Sequence, residues 1–219
     1  MRPPERGSLL VAAPTLSDPN FFRTVVLLLA CDEDGALGVV LNRPTDTPIS
    51  DIVPSWAAHA SPPGVLFSGG PVQPNAAICV GHHVDGVDPE SLAAIEQQAR
   101  RLEDDTDDTD GADGEATDEE VDLFSGYSPL TETIGTVDLH REPEDVDVTF
   151  AGLRVFKGYS GWGPGQLDDE IADRGWFVVD GTPAEILTAE PDDLWERVLR
   201  SQGGWLSVLA RHPIDPSLN

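Results

Sequence analysis

The stretch TVVLLLACDEDGALGVVLNRP, residues 24–44, constrains the fold more than any other part of this chain. Two apolar, β-rich runs, 24–31 and 36–42, are separated by Asp32–Gly35, a strong signal for a hairpin turn. Neither run alternates between apolar and polar residues. Both are almost continuously apolar, so both faces of the hairpin need cover. A sheet packed on both sides requires layers above and below it. A chain of 219 residues is long enough to supply them around one sizeable core. Pro44 follows the second run at once and stops it.

The rest of the chain fits that frame. GSLLVAAPTL reads as a strand ended by a proline turn. TPISDIVPSWAAHA reads as a short amphipathic helix or irregular segment. GVLFSGGPV is a strand entering a tight turn, and NAAICVGHH, IGTVDL, FAGLRVFKGYSGW and GWFVVDG are further strands. Residues 88–102 have a helical pattern, as does GQLDDEIADRG, with acids in its first turn and glycine at its end. PDDLWERVLRSQGGWLSVLAR reads as a final helix, with Leu194, Val198 and Leu199 on one face. Strands follow one another across short turns, without repeated strand–helix–strand units. The expected class is α+β: a single domain over 1–219 with a mixed, largely antiparallel sheet.

The net charge of −27 restricts partners. An acidic surface repels phosphate backbones and anionic membranes, so direct nucleic-acid binding and membrane association are disfavoured. Residues 103–122 hold 12 acids and no base. Such a segment cannot bury enough apolar surface to offset its ordering entropy, so a disordered loop inserted within the domain is expected. No apolar run approaches the roughly 20 residues of a membrane-spanning helix. The N-terminus lacks a full signal-peptide pattern, and cytoplasmic localisation is expected. Two widely separated cysteines, Cys31 and Cys79, read as reduced thiols. Metal-ligand spacings such as CxxC and HExxH are missing, and no metal or cofactor is expected.

Three strand-end motifs are candidates for chemistry. In GYSGWGPGQ, residues 158–166, glycines lie between a strand and a helix, where backbone N–H groups can cradle an anion. The segment matches neither a P-loop nor a dinucleotide fingerprint, and Asp168, Asp169 and Glu170 would oppose a polyphosphate. Its alternatives are a packed corner, with Tyr159 and Trp162 closing the core edge, and one wall of a ligand pocket. LNRP places Asn42 and Arg43 at a sheet end. There Arg43 either holds an anionic group with two bonds or ties loops through backbone carbonyls. SGGPV, with Gly69 and Gly70, either lines a cleft or makes a tight corner. The resulting ligand-binding hypothesis joins Asn42, Arg43, Gly69, Gly70, Tyr159, Trp162 and Gln166. Ser68 and Ser160 lack a nucleophile elbow. Acids beside Cys31 should blunt its thiol, and Cys79 reads as a core residue. His82 and His83, adjacent on a strand, should point to opposite faces near its end, partly exposed.

Taken in order, GSLLVAAPTLSDPNFFRTVVLLL, DEDGALGVVLNRP, FSGGPV, GTVDL and GYSGWGPGQLDDEI…GWFVV resemble the AlgH-like (YqgE) family of bacterial proteins, and the C-terminal stretch resembles its actinobacterial branch. The resemblance spans Gly7 to Asn219, except roughly residues 88–122. It implies a barrel-like, bifurcated sheet surrounded by helices in a cytosolic protein, with no established activity. Any regulatory role is expected to be indirect, because there is no helix-turn-helix and the charge opposes DNA. The acidic insert departs from the family pattern. So does Cys31, which stands where the resemblance leads one to expect histidine. The expected function is a module that binds a small molecule or a protein. The alternative is a hydrolase or thiol-dependent enzyme working in a cleft near residues 158–166.

Overall fold

A computed structural model describes residues 2–84, 126–146 and 148–211. The expected helix at 88–102, the acidic tract 103–122 and His212 lie outside the described residues. Ten strands are seen among them: β1 (Leu9–Ala12), β2 (Val25–Asp32), β3 (Gly35–Val40), β4 (Pro44–Pro48), β5 (Val65–Ser68), β6 (Val72–His83), β7 (Tyr127–Pro129), β8 (Ile134–Val137), β9 (Phe150–Trp162) and β10 (Trp176–Val179). The helices are α1 (Gln166–Ala172), α2 (Pro183–Ile186), α3 (Leu194–Ser201) and α4 (Gly204–Leu209). Short 3₁₀ turns occupy Ile49–Asp51, Pro54–His59 and Pro143–Asp145.

The main sheet runs β10-β1-β2-β3-β9-β6-β8-β7, and every neighbouring pair is antiparallel. β5 adds the parallel pairing, against Phe156 and Lys157 of β9, and β4 pairs with β5. The sheet is curled. The Arg6 guanidinium donates to the Pro129 carbonyl and the Ser128 hydroxyl, lacing the start of β1 to the far strand β7. This is the α+β, largely antiparallel half-barrel that the strand pattern and the family resemblance predict.

Both faces of the hairpin are covered, as its unbroken apolar runs require. Leu9, Val11, Leu27 and Val39 point into the curl, where they meet Phe67, Phe156 and the α3 residues Leu194, Val198 and Leu199. Leu10, Ala12, Val26 and Leu28 alternate with them and pack on Trp162, Trp176 and the α1 residues Leu167 and Ile171. A third cluster covers the β6–β9 end through Trp56, Cys79, Leu153 and Val155. Arg154 is 2% exposed. It donates to the carbonyls of Ile186, Pro62 and Thr188 and lies 4.2 Å from the Phe67 ring centroid. Burial lowers its pKa to about 10, so it stays charged at neutral pH and fastens the α2–α3 link to the sheet.

Several local expectations change. The expected C-terminal helix is two helices, broken where Gly203 and Gly204 both take positive φ. FAGLRVFKGYSGW is the 13-residue β9, as expected, but this leaves only Gly163–Gly165 of the glycine-rich segment as the connection to α1. TPISDIVPSWAAHA forms part of β4 and two 3₁₀ turns, because its prolines deny an α-helix its backbone donors. His83 is buried, whereas its neighbour His82 is half-buried. The short α2 begins with a capping box between Thr182 and Glu185.

Candidate functional site

The sheet forks along β9. Ser160–Trp162 pair with β3, while Phe156 and Lys157, earlier on the same strand, pair with β5. At the fork the backbones come too close for side chains. A Cβ on Gly69 would lie 2.3 Å from the Gly158 carbonyl oxygen, and one on Gly70 would lie 2.3 Å from that of Tyr159. Gly158 itself takes φ +65°, which turns the strand. Gly69 ties the branches together: its N–H donates to the Lys157 carbonyl, and its carbonyl accepts from Val40 N and Ser160 Oγ. The glycines of SGGPV and KGYSG therefore serve one junction. Tyr159 packs at its side against the core within the curl.

The other motif residues meet at the loop 17–24, between β1 and β2. Its tip, Ser17 to Asn20, is exposed. The Asp18 carbonyl accepts from the amides of Phe21 and Phe22, and the Asp18 carboxylate accepts from Asn20 N. Arg23 takes φ 53°, an unusual conformation for a side-chain-bearing residue. On one side the buried Asn42 accepts from Val25 N at 3.0 Å and donates to the Arg23 carbonyl at 2.9 Å. Arg43 donates to its neighbour's carbonyl on Asn42 and to that of Phe22. Burial pulls the Arg43 guanidinium below its usual range, and Asp192 partly opposes this. On the other side Phe21 stacks on Trp162 and meets Trp176 edge-on, with ring centroids at 6.0 and 5.4 Å. Phe21 and Phe22 are consecutive, so LNRP and GYSGW hold neighbouring residues of the loop, one through the Phe22 carbonyl and the other through the Phe21 ring.

Glu170 fixes the aromatic jaw. One carboxylate oxygen accepts from both indoles, Trp162 at 3.0 Å and Trp176 at 2.8 Å. The other accepts from Gln166 at 2.8 Å, and the Gln166 carbonyl oxygen accepts from Gly163 N at 3.1 Å. The helix spacing of four places Gln166 and Glu170 on one face. A third indole, Trp195, donates to the Ala12 carbonyl at 2.8 Å, and the Arg23 guanidinium lies 4.5 Å from its ring centroid.

Of the seven residues proposed from sequence, Asn42, Arg43, Trp162 and Gln166 thus belong to the loop clamp, and Gly69, Gly70 and Tyr159 belong to the fork. Sequence reading missed Phe21, Phe22, Glu170, Trp176 and Trp195. One signal was available: an acid on a helix flanked by tryptophans on both adjoining strands.

The nucleophile candidates sit in unhelpful surroundings. Ser160 is fully buried and its hydroxyl donates to Gly69. Cys79 is buried, which pushes its thiol far up. Cys31 is raised by burial, then by Asp168 and Asp32, in line with the sequence expectation. It borders a shallow open depression of about 230 Å³, solvent at the mouth included, with Gly163, Leu167 and Asp168 on its rim.

A family model described as AlgH-like matches residues 9–207. The chain belongs to the AlgH-like family. Its similarity to a UPF0301 protein of Streptomyces avermitilis is 43% identity over 97% of this chain and 94% of that protein. A UPF0301 protein of Mycobacterium tuberculosis is 36% identical over 97% of this chain and 90% of its own length. Among solved structures, a Corynebacterium diphtheriae protein superposes with a TM-score of 0.76 at 26% identity, covering 96% of this AlgH-like chain and 94% of the other. The solution structure of AlgH from Pseudomonas aeruginosa, at 20% identity and a TM-score of 0.56, covers 97% and 98% and shares the fold. No helix among the described residues of this AlgH-like protein is long and apolar enough to cross a membrane.

Proposed function

We propose that this AlgH-like protein is a non-enzymatic binding module that presents the loop 17–24 to a protein partner, with any regulatory role exercised through that partner. The observation that carries the reading is the convergence of five separate chain segments beneath one short loop whose tip is exposed. Asn42, Arg43, the Trp162–Glu170–Trp176 unit and Trp195 hold its base, while Asp18, Pro19 and Asn20 stay exposed. A pre-ordered loop gives up little entropy on binding. An exposed loop tip suits another protein better than an enclosed small molecule. In this reading Asn42, Arg43, Trp162 and Gln166 position the loop, and Gly69, Gly70 and Tyr159 set the fork from which the clamp is built. The buried or acid-flanked thiols and the buried Ser160 favour binding over covalent catalysis.

The test is native mass spectrometry of the full chain purified from its own host, compared with Arg43→Ala and with the paired surface change Pro19→Ala, Asn20→Ala. A bound protein lost from both variants supports the reading. A bound protein retained by both overturns it. A small molecule retained by the tip variant and lost from Arg43→Ala would return the site to a pocket.

A further inference from the structure

A second polar site lies at the other end of the sheet. β6 and β8 run antiparallel there, with Gly81 opposite Gly135. The two glycines leave a gap in the side-chain layer, and aromatic rings lie in it. A Cβ on Gly135 would come within 2.5 Å of the Tyr127 Cζ and 2.7 Å of its Oη, and a Cβ on Gly81 would come within 2.7 Å of the Phe150 ring. Tyr127 and Phe150 meet edge-on at 5.9 Å, and His83 packs on Tyr127 at 5.8 Å between ring centroids. His83 is 8% exposed and Tyr127 is 3% exposed.

Two polar atoms in this aromatic layer have no protein partner: His83 Nδ1 and Tyr127 Oη, both fully shielded. A lone buried hydroxyl or ring nitrogen is costly, and more than about 90% of buried polar groups in native proteins are satisfied. Two in adjacent rings have a common remedy. We infer that His83 Nδ1 and Tyr127 Oη form a binding site for one buried water molecule that bridges them. A water can donate to one atom and accept from the other, whichever tautomer His83 adopts. Proteins hold roughly one buried water per 27 residues, typically on otherwise unsatisfied polar groups. The site is also well placed to act as a pin. His83 ends β6 and Tyr127 begins β7, so the bridge joins the points where the chain leaves and re-enters the described sheet around residues 85–125.

A double-mutant cycle on the full chain tests the site. Tyr127→Phe and His83→Leu should each reduce the folding equilibrium constant about tenfold, because each strands the water and its partner atom. The double variant should be no less stable than the worse single variant, which is a coupling of about tenfold. Additive losses overturn the inference. A crystal structure of the unaltered protein, resolved finely enough to place waters, decides the matter even if a variant fails to fold. One water in hydrogen-bond contact with both atoms supports it. A direct bond between the rings, or a dry contact, overturns it.

Discussion

The two ends of the sheet handle buried polarity in opposite ways. At the loop 17–24, Asn42 has partners for its oxygen and its nitrogen, Glu170 for both oxygens, and the indoles of Trp162, Trp176 and Trp195 for their N–H groups. At the β6–β7 end, His83 Nδ1 and Tyr127 Oη have none within the protein. The satisfied end is a finished scaffold: its chemistry faces inward, and what it offers outward is a held loop. The unsatisfied end is complete only with something added. A motif dense in polar and aromatic residues is therefore not in itself a ligand site. What separates scaffold from site is whether its hydrogen bonds close within the protein.

Removing the centre of the finished network should have the largest effect. Glu170→Ala strips the acceptor from two indoles and from Gln166, and should lower unfolding stability by about 2–3 kcal/mol in urea titrations. Glu170→Gln, which keeps an acceptor for the indoles, should lose about half of that. If Glu170→Ala is neutral, the jaw is held by ring packing alone. Asn42→Ala comes next, at about 2 kcal/mol, because it frees Val25 N and the Arg23 carbonyl in a buried setting. Its amide exchange should rise selectively at Val25. A uniform rise across β2 would mean general loosening instead.

Smaller effects separate the ends further. Tyr127→Phe at the unsatisfied end should cost only about 1 kcal/mol, less than Asn42→Ala, although both side chains are almost fully buried and Tyr127 is the larger. The reverse order would erase the contrast. The smallest effect concerns Cys31. Burial and the neighbouring carboxylates raise its pKa in the folded protein, so thiolate formation, and any stability linked to it, changes only above the ordinary thiol range. Alkylation of native Cys31 should rise with pH later than in the urea-unfolded chain. The raised pKa also means that stability from this group is present below the unfolded value and declines as pH climbs through the folded one. Coincident native and unfolded profiles would show that neither burial nor the Asp168 and Asp32 carboxylates raise the thiol.

Much of the architecture was legible because it follows from local pattern. The unbroken apolar runs at 24–31 and 36–42 require cover on two faces, and the structure supplies it with one core inside the curl and another beneath α1. The break between α3 and α4 was hidden because Leu194, Val198, Leu199, Leu206 and Leu209 keep a helical rhythm across Gly203–Gly204. The clamp was half legible. Asn42, Arg43, Trp162 and Gln166 stood out by composition, but Glu170 looked like one more acid in LDDE. Its role depends on tertiary placement: only when β9, α1 and β10 fold together do the two indoles point at one carboxylate. The glycines of the fork were visible as glycines. That they relieve one backbone junction, with Gly69 against Gly158, is a property of the paired strands.

In the proposed function the clamp serves to present the loop tip. The most direct test is the mass of the assembly formed in the native host by the unaltered chain and by the Pro19→Ala, Asn20→Ala variant, with thermal unfolding measured on both. Both side chains are exposed, so stability should stay within about 0.5 kcal/mol. The expected result is a bound protein on the unaltered chain that is missing from the variant at unchanged stability. The same bound mass on both, or a bare chain in each, would contradict it.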